Sequence, residues 1–249
     1  MSARPTGDRV TGKVRSLAAK SGLGEIRHVS AATLNGPGWT AVVLAFLAFS
    51  AGPWLIGNAS PVQAAVQAAF CAVLFAVILA FLAAEKVVVL ERGILIGSFA
   101  PFLSPYVLPF AAIDSTSVRA SVANQRTLGL LLVDRGANAA SRTALWSRRP
   151  VTFLAAAPGA VRAARVRGEH AELGDWRNVD LWMFSARNAR AQEALVRAIA
   201  DAARAAGLPG AELAVQYGLP AEPVQVSPEG ADQLAIPEFM RAATLRRQR

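Results

Sequence analysis

Cysteine occurs once in 249 residues, histidine twice and tyrosine twice, and each shortage closes off a kind of chemistry. Cys71 can form no internal disulfide and lies inside an apolar run rather than beside a second ligand. His28 and His170 are far apart in the chain with no cysteine near them, so spacing builds neither a nucleophile–base pair nor a metal cluster. The Gly-x-Ser-x-Gly elbow of serine hydrolases does not occur. Asp114, Glu169, Glu172, Asp175 and Asp180 have no spacing that pairs any two of them. The expectation is a non-enzymatic chain with no catalytic residue, no cofactor and no metal ligand.

Charge is scarce too, at 17% of residues against about 25% in soluble chains, and the mean hydropathy is +0.35. The scarcity is concentrated in two runs. Residues 39–57 and 62–84 carry no charge, and at about 1.5 Å per residue each is long enough for a hydrocarbon core of about 30 Å. Two transmembrane helices are expected there, with Trp39 and Trp54 at headgroup level. Arg4, Arg9, Lys13, Arg15, Lys20 and Arg27 precede the first run, and the short link between the runs has no charge. The positive-inside rule then predicts a multi-pass protein of the cell membrane with both termini cytoplasmic. Ala41, Ala45, Ala48 and Gly52 on the first run, and Ala72, Ala76, Ala80 and Ala84 on the second, form small-residue stripes suited to helix–helix packing. The stripes are expected to face each other or to serve a homo-oligomer. Gln63 and Gln67 can bond across the pair.

After the second run the apolar period changes from helical to extended. Residues 86–90 and 94–98 around Glu91-Arg92-Gly93 read as a hairpin, and 106–120, 128–133, 143–147, 151–155 and 179–185 as further strands. Gly136, Pro150, Pro158-Gly159, Gly168 and Gly174 read as the turns between them. Leu195, Val196, Ile199, Ala202, Ala203 and Ala206 then form one apolar stripe at helical spacing, capped by Ser185 or Asn188 and stopped by Gly207 and Pro209. The expected organisation is a basic arm over 1–38, a helical hairpin over 39–84, a soluble domain over 85–208 and a flexible tail over 209–249 with a short helix at 236–247. The expected fold class is a membrane α-hairpin plus an α+β domain, a curved antiparallel sheet or partly open barrel closed by one amphipathic helix.

Three stretches carry a family likeness: Val87-Val88-Val89-Leu90-Glu91-Arg92-Gly93-Ile94-Leu95-Ile96, the segment Pro109-Phe110-Ala111-Ala112-Ile113-Asp114-Ser115, and Leu181-Trp182-Met183-Phe184-Ser185-Ala186 leading into the helix. Over about half its length the chain resembles the bacterial pleckstrin-homology-like domains that follow paired membrane helices. The related lipid-binding modules hold phosphoinositides with basic residues between their first two strands. Here that loop is Glu91-Arg92-Gly93, too short and too acidic for such a headgroup. The resemblance therefore implies a membrane-proximal scaffold or protein-interaction domain.

Gly7-Asp8-Arg9-Val10-Thr11-Gly12-Lys13 has the glycines and lysine of a phosphate loop, but Val14 stands where a magnesium-binding hydroxyl belongs and no apolar strand precedes it. It is expected to be part of a solvated arm. Between Arg119 and Arg167 lie nine arginines and one acid, Asp134. Arg148, Arg149, Arg162, Arg165 and Arg167 are the candidate contacts with an anionic bilayer. Few aromatic residues accompany them, so nucleic acid is not an expected partner. The expected function is a membrane-anchored scaffold or accessory protein whose domain binds a protein partner or the anionic surface. The alternative is a membrane-associated enzyme or small-ligand sensor with a pocket under the closing helix.

Overall fold

Alternation along two strands sets the layers of this protein. On β3 (Glu85–Leu90) and β4 (Gly93–Ser98), Val87, Val89, Ile94 and Ile96 point to one side, Val88, Leu90 and Leu95 to the other, and all seven are buried. Strands buried on both faces need a cover on each. The computed structural model shows both covers; it describes residues 4–32, 34, 36–57, 60–122, 141–142, 149–175, 178–222, 224–227, 230 and 232–241.

The first sheet runs β1 (Thr6–Gly7), β2 (Ile26–Ala31), β3, β4, β5 (Tyr106–Pro109), antiparallel except that β1 is parallel to β2. Its outer face is covered by α1 (Gly12–Ser21), whose Val14 and Ala18 pack with Leu23 on Val88, Leu90, Leu95 and Phe99. Thr11 caps this helix through Val14 N, and Gly22, left-handed at φ 68°, ends it. The segment expected as a solvated arm is thus a strand, helix and strand of the domain. Its stripe of Val14, Leu17 and Ala18 is short and hidden among Lys13, Arg15 and Lys20, which read as a charged tail.

The second sheet runs β10 (Val224–Gln225), β6 (Arg119–Val122), β8 (Pro150–Ala156), β9 (Val179–Ser185), β7 (Ser141–Arg142), with antiparallel pairs at the centre and parallel pairs at both edges. The inner faces of the two sheets share one core. Phe153, Trp182 and Phe184 of the second sheet meet Val87, Ile94 and Ile96 of the first. A helix over Ala189–Ala205 adds Leu195, Val196, Ile199, Ala202 and Ala203. The outer face of the second sheet, Leu154, Leu181 and Met183, is covered by Val224, Val226, Leu234, Ile236 and Met240. The expected flexible tail is therefore packed as far as Met240. Its expected helix is a 3-10 turn at Glu238–Met240, and 242–249 lie outside the described residues.

The architecture is α+β, as expected, but its two sheets are mixed where an antiparallel sheet was expected, and the described strands close no barrel. The parallel pairs come from short edge strands, two of them in segments read as arm and tail. Tyr106–Ala120 is not one strand: after Pro109 the chain makes 3-10 turns at Phe110–Ala112 and Ser115–Ser117, the second capped by Asp114, before β6. The strands expected at 128–133 and 143–147 lie outside the described residues. Pro158-Gly159 is not a turn but the start of a helix, Pro158–Val166, with proline at its first position, where no amide hydrogen is needed.

Between β2 and β3 two apolar helices form a hairpin, α2 (Gly36–Leu55) and α3 (Pro61–Ala84). Both are long and apolar enough to cross a membrane, and only 11% and 6% of their spans are buried in the protein. Ser60 and Gln63 form a capping box at the start of α3. Gln67 Nε2 donates to the Phe49 carbonyl at 2.7 Å, so one glutamine does bond across the pair. The small-residue stripes do not face each other. Ala41, Ala45 and Gly52 are half-buried and Ala48 is exposed, while Ala72, Ala76 and Ala80 are exposed and Ala84 is half-buried. The covered side of α3 is instead Ala64, Gln67, Ala68, Cys71, Phe75, Leu79 and Leu82. The edge-to-face pair Phe46–Phe75, centroids 5.9 Å apart, and the Gln67 bond occupy the seam that the alanines would have needed.

Candidate functional site

The helix Pro158–Val166, α4 here, turns Val161 and Ala164 inward and leaves Arg162 and Arg165, one turn apart, on its open side. Across from it stand Leu17, Lys20 and Ser21 of α1. Between them lie Leu95, Gly97 and Ser98 of β4 and the loop that leads to β5, and together these enclose a cleft of about 420 Å3. Gly168, left-handed at φ 74°, turns the chain after α4 so that Glu169 and His170 complete the rim.

The charges of the cleft are of one sign where they are free to act. The Arg162 guanidinium lies 5.2 Å above the Tyr106 ring and donates to its hydroxyl, while that ring packs edge-on against Trp182 with centroids 5.1 Å apart. Trp182 is fully buried and its Nε1 donates to the Ala156 carbonyl at 3.1 Å, so Arg162 is held by the core itself. Among the described residues the side chains of Lys20 and Arg165 make no hydrogen bond or ion pair. The nearby acid, Glu169, is taken by Arg167 at 2.8 Å.

The β4–β5 loop forms the mouth. Phe99 and Ala100 are buried, and Lys13 donates to the carbonyls of Ala100 and Leu103, the latter at 3.0 Å. Lys13 therefore pins this loop rather than serving a phosphate loop, and Thr6-Gly7 ahead of it is an edge strand. Between the two pinned carbonyls Phe102 is fully exposed at φ 68°, and the Leu103 side chain is exposed beside it.

Of the five arginines expected to act together, the structure brings Arg162 and Arg165 into the cleft and places Arg167 just after them in its ion pair. Arg149 lies at the other end of β8, about 20 Å of strand away, beside Ser121 and Gln192. Arg148 lies outside the described residues. Lys20, Tyr106 and the Phe102–Leu103 tip were not singled out from sequence. An uncharged Pro-Phe-Leu-Ser-Pro stretch soon after a membrane-length run was the available signal.

Two other polar sites are structural in construction. Asp8 takes the Arg187 guanidinium at 3.1 Å on one oxygen and Ala31 N at 2.9 Å on the other, joining β1, β2 and the start of the helix that begins at Ala189, α5 here. Beside it His28 is buried with Nδ1 2.9 Å from Thr6 Oγ1; burial holds its pKa below the ordinary value, against the opposing pull of Asp8. A smaller pocket of about 290 Å3 flanks α5, but the amide of Gln192 within it is spent on the carbonyls of Ser121 at 2.9 Å and Pro150 at 2.7 Å. Among the described residues no three His, Cys, Asp or Glu side chains gather as a metal site would need. Compared against protein-family models, curated proteins and solved structures, the chain has no match in any of the three.

Proposed function

We infer that this chain is a non-enzymatic, membrane-anchored scaffold or accessory protein, whose cytoplasmic domain is held with a basic side toward the anionic leaflet and its other surfaces open to a protein partner. One observation carries the reading. β2 enters the hairpin and β3 leaves it as neighbouring, hydrogen-bonded strands: Ala31 pairs with Lys86, Ala32 N donates to Glu85 O at 2.8 Å, and β3 begins at the residue after α3 ends. No flexible linker separates the domain from α3, so the bilayer would fix the attitude of the domain as well as its location. The basic residues ahead of α2 support a cytoplasmic placement of both termini, and the proposed address is the cell membrane. The likeness to pleckstrin-homology-like domains agrees with a binding module in which a sheet and a following helix share one core.

The test removes the anchor and keeps the domain. Replacing 33–84 by a short glycine-containing turn between Ala32 and Glu85 should give a soluble folded protein, because those residues are already paired. That protein should bind vesicles containing phosphatidylglycerol at low salt and leave them in about 1 M salt, where the screening length falls to about 3 Å. A folded domain that ignores anionic vesicles at low salt contradicts the membrane-facing role.

A further inference from the structure

The β4–β5 loop lies beside the last turn of α3. Glu85 pairs with Ser98, and Phe99 N donates to the carbonyl of Ala84, the final residue of that helix, at 2.8 Å. Residues 99–105 have no charge, and Phe102 and Leu103 stand out at the tip. A left-handed backbone is strained for a bulky aromatic residue, and it persists here because buried Phe99 and Ala100 and the Lys13 bonds fix the loop on both sides. Exposed aromatic and aliphatic side chains held firmly at the level where a membrane helix ends meet the boundary between headgroups and acyl chains.

The cations stand just behind that tip. Tyr106 pairs with Ile96, which pairs with Val87, the third residue after α3, so Arg162 on the Tyr106 ring sits about 10 Å along the strand from the helix end. Arg165 is one helical turn further, and Lys20 faces both across the cleft. We propose that this cleft binds the headgroup of an anionic phospholipid from the leaflet next to α3. Phe102 and Leu103 enter the boundary as a wedge, and Lys20, Arg162 and Arg165 take the phosphate. Arginine suits this role because its planar fork donates two hydrogen bonds to one phosphate, and Arg162 is already oriented by Tyr106. The assignment rests on the reading of α2 and α3 as a membrane anchor.

The test uses the full chain in a Cys71→Ala background, with a nitroxide on a cysteine at Ser104 in the loop or, separately, at Val73 in α3. It is placed in nanodiscs of phosphatidylcholine with or without phosphatidylglycerol. In anionic discs the loop label should be shielded from a water-soluble nickel relaxant and reached by oxygen. The shielding should be lost in discs of phosphatidylcholine alone, and lost in anionic discs for the Lys20→Gln/Arg165→Gln double variant, whose exposed side chains have no partner to lose. A loop label in water in every disc, with the Val73 label in lipid, overturns the inference and leaves the anchor standing; a Val73 label in water fails the anchor itself. Insertion that ignores the double substitution overturns the role of the cleft. Shielding restored in phosphatidylcholine discs by excess inorganic phosphate would assign the cleft to a soluble phosphate and overturn the lipid.

Discussion

His28 shows how burial turns a titratable side chain into a stability term. Its pKa is held below 6.5 in the folded chain, mainly by burial, so above 6.5 it is neutral in both states and costs nothing. As pH falls below 6.5 the unfolded chain takes up a proton that folded His28 refuses, and stability declines until the folded pKa is reached. Denaturant titrations from pH 7.5 to 5 should show the native chain losing stability relative to His28→Asn over that window; parallel profiles would contradict the account. The only other histidine, His170, is exposed and common to both proteins, so the difference isolates His28. Gly7 is a second single-residue test. It has φ 86°, and a Cβ there would lie 2.2 Å from the Val29 carbonyl oxygen, so Gly7→Ala should lower stability by more than about 1 kcal/mol in thermal melts. Arg119 belongs to this scale as well. It opens the arginine-rich stretch in the sequence, yet it donates to the carbonyls of Thr116 at 2.7 Å and Gln233 at 3.1 Å and stacks on Tyr217, tying the C-terminal segment to the second sheet.

Among the elements, α5 was legible because seventeen residues are enough for its apolar stripe to repeat, and Asn188 caps it through Ala191 N at 2.8 Å. Ile199 is fully buried in the shared core, so Ile199→Asp should cost on the order of 3 kcal/mol or more, read as a fall in the denaturant midpoint. β3, β4, β8 and β9 were legible for a similar reason: each centres on a short, mostly apolar run. What covers their outer faces was not, since α1 has ten residues with only Val14, Leu17 and Ala18 as a stripe, and the C-terminal cover has almost no regular structure to give a period. The candidate cleft was legible only as isolated arginines. Its other parts come from α1 and from the β4–β5 loop, which are brought together by tertiary contacts and by no spacing along the chain. A direct consequence is that a fragment of residues 86–208 should aggregate, because it bares Val88, Leu90 and Leu95 on one sheet and Leu154, Leu181 and Met183 on the other. A fragment carrying 4–32 joined to 85–241 should stay monomeric in size-exclusion chromatography.

At the scale of the whole molecule, the hairpin is an insertion between two neighbouring strands of one sheet, with parts of the same domain before and after it in the chain. That arrangement ties fold to topology. β2 and β3 can pair only if the chain enters and leaves the hairpin on the same side, so α1, the cleft and the C-terminal segment must all share that side. If the two helices cross a bilayer as proposed, the net charge of +9 lies on one side of it, in the sense expected for a cytoplasmic face. The most direct measurement is labelling by a membrane-impermeant thiol reagent of single cysteines placed at Ser16, Asn58 and Ser227 in a Cys71→Ala background. The account predicts that only the cysteine at 58 reacts in intact cells and that those at 16 and 227 react once the membrane is opened. Cysteines at 16 and 227 on opposite sides, or both reactive in intact cells with 58 protected, would contradict it.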